Sequence, residues 1–315
     1  MKRWMLSLLA GVGVVGALGM THGSRKDKVT IEEVGKRLDV KVDGKLLASY
    51  HFSAEQPRPF FHPVIGPFGD SVVRGYPVVP NVEGEAKDHV HHKGHWFTHG
   101  DVNGVDFWAD GRGRIVHRSF EKVEGGEVGH IRERNDWMAP DGKKVLEEVR
   151  DIKIMEFGGG VIFDWNITLT ATEGDVKMGD TKEGSFSIRV AETMKEQKGG
   201  RITNAEGKVS EKEAWGKQAA WCDYSGTVNG KTVGVTLFDH PKNFRQAYYH
   251  TRAYGLHAAN PFGTAAYTGD KTKDGGYTIP KGQSLTLRYA LYVHAGDVKE
   301  GNVAKVYEKW AAGMP

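Results

Sequence analysis

The residues best suited to chemistry crowd into one stretch. Residues 88–101 read Asp-His-Val-His-His-Lys-Gly-His-Trp-Phe-Thr-His-Gly-Asp and hold five of the chain's fourteen histidines. Imidazole both titrates near neutral pH and commonly ligates metals. In an extended segment His89 and His91 point to one side and His92 to the other, because side chains alternate along a strand. Two chemistries fit. In one, a divalent metal is held by His89, His91 and the distant His240, with Asp88 or Asp101 as a carboxylate ligand or as an orienting partner. In the other no metal is needed. His91 and His92 exchange protons with the substrate, assisted by His250, and Asp88 or Asp101 orients them. Neither an HExxH helix motif nor a CxxC pair is present to favour the first.

Further along, Asn103-Gly104 signals a tight turn, and Asp106 stands beside Phe107-Trp108. Aromatic faces pack on the apolar face of a pyranose while Asp and Asn bond its hydroxyls, so Asn103, Asp106 and Trp108 are expected to bind a sugar. The plainer alternative is a hairpin whose aromatics fill the core. A second unusual stretch, residues 239–263, gathers His240, His250, Arg252, His257 and Asn260 in irregular sequence, and loops this long are commonly functional. Arg252 suits bidentate contact with a carboxylate or a polarised hydroxyl, and Asn260 adds a sugar ligand. His240 and His250 would close the site from this side, and His62, in a stiff Pro- and Phe-rich loop, is expected to face it. Arg74 reads as a solvated or paired arginine, Glu192 as an acid or base or, more commonly, a surface carboxylate, and nothing near Cys222 activates it.

These segments need a scaffold, and the remainder reads as strands and turns. β-prone runs at 30–34, 38–42, 45–52, 114–122, 145–155, 161–171, 185–192, 232–239 and 285–294 alternate with turn pairs such as Asp43-Gly44, Asp141-Gly142 and Asn229-Gly230. Only residues 303–312 have helical spacing, with Val303, Val306, Tyr307 and Trp310 on one face. The expected fold is mostly β: one large antiparallel β-sandwich over residues 24–315, with long loop-rich inserts at 56–113 and 239–269 and a short C-terminal helix.

Compartment and partner class follow from the leader, the charge and the cysteine count. Lys2 and Arg3 precede an uncharged run at 4–20 that is short for a membrane span and ends near small residues. That layout predicts a secretory signal peptide over residues 1–23, with an uncleaved anchor as the alternative. The single Cys222 excludes an internal disulfide and fits a bacterial periplasm. Lys2 and Arg3 supply two of the three net positive charges, and the remaining signs are interspersed. No basic stripe follows a phosphate backbone, so nucleic acid is not an expected partner, and no second apolar run reaches membrane length. The absence of a phosphate loop, a GxSxG elbow and a GxGxxG turn argues against nucleotide chemistry and a serine nucleophile.

Residues 58–69, 88–108, 215–226 and 239–263 resemble a family of exported bacterial proteins catalogued as PmoA-like, or "methane oxygenase PmoA". The specific match is Asp-His-x-His-His-Lys-Gly…His-Gly-Asp-Val-Asn-Gly-x-Asp-Phe-Trp. The resemblance implies a Leu-like residue where His95 stands, which favours His89, His91 and His92 as the site residues. The label implies methane oxidation, but the genuine methane monooxygenase subunit of that name is an integral membrane protein, and this chain offers no span after its leader. Such proteins look like companions of carbohydrate-degrading systems, and the His-bearing sandwich is loosely similar to galactose-mutarotase-like supersandwiches, a fold-level analogy. The leading expectation is a periplasmic carbohydrate-active enzyme: a glycoside hydrolase, lyase or epimerase. Two alternatives stay open: a protein that binds glycan without changing it, and a periplasmic metal-binding or oxidative protein.

Overall fold

Alternation decides the architecture. Along Gly129–Met138, Gly129, Ile131, Glu133, Asn135 and Trp137 are buried while their neighbours turn outward, and Lys144–Phe157 repeats the pattern. Strands of period two bury one face, which must stack on another sheet. The computed structural model, which describes Met1 and residues 28–313, shows two eight-stranded antiparallel sheets packed face to face. The expected signal peptide lies outside the described residues.

The first sheet runs, in spatial order, Val29–Val34, Arg37–Val42, Lys45–His51, Phe60–Val64, His95–His99, Gly184–Arg189, Leu256–Asn260 and Tyr248–Tyr249. The second runs Arg201–Asn204, Trp221–Val228, Lys231–Asp239, Ser284–Ala295, Gly160–Thr170, Lys144–Phe157, Gly129–Met138 and Arg114–Glu124. Between them Phe61 meets Phe163 and Trp165, Phe97 meets Trp137, and Phe186 stacks on Tyr289. Each such fully buried side chain contributes about 1.5–3 kcal/mol. The core also contains charge. Arg150 pairs with Glu148 at 2.6 Å and crosses to the carbonyl oxygens of Pro59 and Phe97 on the other sheet. Buried ions survive only when paired and hydrogen-bonded, and this pair is both.

The expected mostly-β antiparallel sandwich and its C-terminal helix are present. Val303–Ala311 lays Val303, Val306 and Trp310 on Ile162, Phe238, Ala290 and Tyr292, the outer face of the second sheet. The two inserts differ from expectation. Phe60–Val64 and His95–His99 come from the first, Tyr248–Tyr249 and Leu256–Asn260 from the second, and all four are strands of the first sheet. They are two to five residues long and almost wholly buried, so their polar-apolar alternation is too brief to register as a strand pattern. No described helix is long and apolar enough to cross a membrane.

Candidate functional site

Strand alternation sorts the histidines first. In His95–His99 the rings of His95 and His99 point into the sandwich, against Trp165 and Phe262 respectively, while Trp96 faces outward into a cluster with Phe60, Trp108 and Leu256. His95 donates from Nδ1 to the Ser187 carbonyl and His99 from Nε2 to that of Gly179, each at 2.8 Å. Burial holds His95 down to about 3 and His99 to about 4, so both are neutral core residues.

The preceding loop is a turn, not a strand. The His92 N–H bonds the His89 carbonyl at 2.9 Å, and His89 takes a left-handed φ of 45°. His92 therefore does not point away from its neighbours as an extended chain would require. Its ring lies 4.8 Å from that of His89 and 4.5 Å from that of His91, and His89 and His91 are 5.8 Å apart. The stack extends at both ends, with Trp96 at 5.4 Å from His92 and Tyr254 at 5.0 Å from His89. A column Trp96–His92–His89–Tyr254 results, with His91 and the edge of Trp108 at its side.

Buried arginines hold this column in place. Arg58 donates to the His91 carbonyl at 3.0 Å and to the carbonyls of Phe107 and Trp108. Arg74 donates to the carbonyls of Ala86 and His89 and to Asp88 Oδ1 at 2.5 Å. Arg189, reaching out from the middle of the first sheet, bonds Asp88 at 2.9 Å and His92 Nδ1 at 3.0 Å, and its guanidinium sits 4.7 Å from the Tyr254 ring centroid. The forked guanidinium suits such multi-acceptor gripping better than an ammonium would.

Electrostatics then assign protonation. Burial pushes the Asp88 carboxyl up, but Arg189, the His89 hydrogen bond and Arg74 together hold it well below the usual carboxylate range. It stays ionised and accepts from His89 Nδ1 at 2.7 Å, leaving His89 Nε2 on a ring whose side chain is 39% exposed. His92 is driven far down by burial, then by His91 and Arg189. Because its Nδ1 accepts from Arg189, the His92 proton sits on Nε2, which has no partner. Burial, then Arg58, brings His91 down to about 4, and among the described residues neither of its ring nitrogens is hydrogen-bonded. The group thus holds a carboxylate-oriented imidazole, a neutral unpartnered imidazole and a fixed N–H donor, a set capable of moving protons.

The other expected site residues divide. His250 donates from Nδ1 to the Lys182 carbonyl at 2.9 Å, its Nε2 is unpartnered, and burial, then Lys182, lowers it to about 3, with Arg252 and His89 adding to the effect. Arg252 pairs with Glu211 at 2.7 Å and lies 5.5 Å from the Tyr254 ring centroid, at the end of the column. Asp106 accepts from the N–H groups of Trp108 and Ala109, a turn that seats Trp108, and Trp108 is buried rather than an open sugar platform. Asp101 accepts from the Gly104 N–H, and Asn103 bonds Asp175 and Lys177, so both build a hairpin away from the ring column. Asn260 is likewise structural, accepting from the Phe262 N–H and donating to the Thr181 carbonyl. His62 is buried, lowered by burial to about 4, and lines a neighbouring groove.

His240 corrects the expected metal set. Its ring packs 5.0 Å from that of Trp310 on the outer face of the second sheet, on the far side of the sandwich from His89 and His91. Among the described residues no group of three or more His, Cys, Asp or Glu is arranged to hold a metal. Sequence reasoning passed over Arg189 and took Tyr254 as one member of a loop. The available signal for Arg189 was an arginine closing Gly184–Arg189, a strand buried at every position.

Solved structures similar to this one share little sequence. The galactosidase domain of an alpha-galactosidase–sucrose kinase aligns over 87% of this chain at 9% identity with a TM-score of 0.45, and this chain spans 41% of that one. A galactose mutarotase-like protein from Clostridium acetobutylicum aligns over 86% of this chain and 100% of its own at 9% identity, TM-score 0.38. One from Lactobacillus casei aligns over 84% of this chain and 100% of its own, again at 9% identity, TM-score 0.33. No curated protein matches the sequence significantly. The model of a family of unknown function, DUF6807, matches residues 37–308, which take in the whole ring column and its arginines, and the chain belongs to that family.

Proposed function

We propose that the ring column is the active site of a periplasmic carbohydrate-active enzyme that works by imidazole acid/base chemistry, as an epimerase or lyase. The observation that carries this reading is the 2.7 Å contact between Asp88 and His89 Nδ1, which fixes the ring and leaves Nε2 free to take or give a proton. His91, neutral and unpartnered beside it, supplies the second proton-transfer group. His92, buried with its Nε2–H unpartnered, packs between the rings of Trp96 and His89 and holds the column in register. Glycosidases ordinarily need two carboxyl groups flanking the bond, one of them free to donate a proton. Here Asp88 is engaged by Arg74 and Arg189, and Asp110 by Arg58 and Lys93, which favours imidazole over carboxyl chemistry.

The test is a panel of free sugars, glycosides and glycuronides. Epimer or anomer exchange is followed by NMR, and elimination by the ultraviolet absorbance of an unsaturated product. Turnover by the wild-type protein that disappears in His89→Ala is expected. No turnover on any member, or full activity in His89→Ala, would overturn the reading.

A further inference from the structure

Beside the ring column, residues 66–86 arch past the outer face of the first sheet and leave a groove of about 860 Å³. Ser49, His51 and His62 contribute to its floor, and Val73, Val78, Val79 and Val82 to its walls. A smaller hollow of about 360 Å³ shares His51 and Val78 with it and is bounded by Val90 and Lys93 of the histidine loop. The two together form a trough that passes alongside the histidine loop at Val90 and Lys93. We propose that this trough receives a bulky apolar aglycone, so that the substrate is a glycoside of an apolar alcohol or phenol rather than a polysaccharide. The proposal rests on the acid/base reading of the ring column for the sugar end of that substrate.

Three observations carry it. The larger groove has no Trp, Tyr or Phe in its lining and the smaller hollow has only Phe60, 1% exposed, whereas sites that hold successive sugars stack them on open aromatic faces. Its charged groups are mostly engaged. Arg37 bonds Asp39 at 2.8 Å, Asp70 bonds Asn229 at 2.7 Å, Glu192 bonds Lys195 at 2.5 Å, and Glu85 caps the N–H groups of Gly75 and Tyr76. Much of what remains for a ligand is valine, including Val79, which is 46% exposed, and water leaves such a surface readily. Finally, His62 on the groove floor is 5% exposed and its Nε2 has no partner, a buried polar atom suited to the oxygen of a phenol or ether. Cavities of roughly 300–1,000 Å³ with a few placed polar groups are the size of small-ligand sites.

Calorimetric titration with methyl, octyl and 2-naphthyl glycosides of one sugar, and with a trisaccharide of it, tests the assignment on the whole protein. The octyl and naphthyl glycosides are expected to bind at least about tenfold tighter than the methyl glycoside. Val79→Asp, at a 46% exposed position and with its folding checked by circular dichroism, should erase that advantage without weakening the methyl glycoside. Equal affinity of methyl and octyl glycosides, or a trisaccharide that binds best and is weakened by Val79→Asp, overturns it. If the octyl advantage persists in a protein that turns over nothing, the acid/base reading falls and the groove assignment stands. Turnover indifferent to the aglycone sinks the groove assignment alone.

Discussion

Arg189 donates from Nη1 to Nδ1 of His92 across 3.0 Å and thereby decides which nitrogen of that ring carries the proton. The same guanidinium holds Asp88, which in turn orients His89. One arginine therefore sets the tautomer of one histidine and the direction of another. Arg189→Met should cost about 1.5–3 kcal/mol of stability, the range for hydrogen bonds to charged groups. It should also let the titration of His92 move up, since a nearby positive charge is gone. An NMR titration of the imidazole reports this, and a His92 curve unchanged in the variant would refute the coupling.

The Asp88–His89 pair predicts a rate effect that outweighs any effect on binding. Asp88→Asn keeps the shape and removes the charge, and should lower kcat on a productive substrate by about 100-fold or more with a small change in KM. His89→Ala should do the same. A matched rise in KM with kcat intact would mean that the pair binds substrate and does not react with it.

Stability should fall as the pH is lowered from 7 toward 4, more steeply than paired carboxylates alone would produce. His62, His91, His99 and His257 are held by burial to about 4, and His95 and His250 to about 3, below the ordinary value near 6.5. Between those values the unfolded chain binds protons that the folded chain refuses, so stability rises with pH across this window and levels off above about 6.5. Asp239 runs the other way. Burial pushes it up to about 7, so from about pH 4 to 7 the folded state holds a proton that the unfolded state releases. Glu148 and His294, both raised, act in the same sense as Asp239, so three groups oppose nine histidines, since His51, His92 and His240 are lowered as well. Scanning calorimetry from pH 4 to 7.5 checks the net sign, and a Tm that stays level or climbs on acidification would contradict it.

His240 and Arg150 separate structure from function. His240→Ala loses packing on Trp310 and should reduce stability by about 1 kcal/mol while leaving activity unaffected, because the residue is on the opposite outer face. Loss of activity in a folded His240→Ala protein would reinstate it as a site residue. Arg150→Met should be far more damaging, about 3–5 kcal/mol by chemical denaturation, because it strands Glu148 unpaired in the core. A loss under about 1 kcal/mol would mean that Glu148 is protonated or repartnered.

Much of the fold was legible because its signals are local. Period-two runs such as 145–155 and 161–171, the Asp-Gly and Asn-Gly turns and the single helical stripe at 303–312 each state their structure within a few residues, and the sandwich contains all of them. The histidine-rich segment was legible as a place of interest for the same reason. Which histidines meet was not. That depended on the turn that closes from His92 back to His89, on strand alternation that sends His95 and His99 inward, and on Arg189, which bonds Asp88 from 101 positions away. The sequence by itself determined many of the long strands, the turns and the chemistry available, but not the short buried strands of the inserts. Only the tertiary structure decided that His89, His91 and His92 share one column while His240 lies behind the second sheet, because strand pairing between distant segments is a register relation that no local pattern encodes.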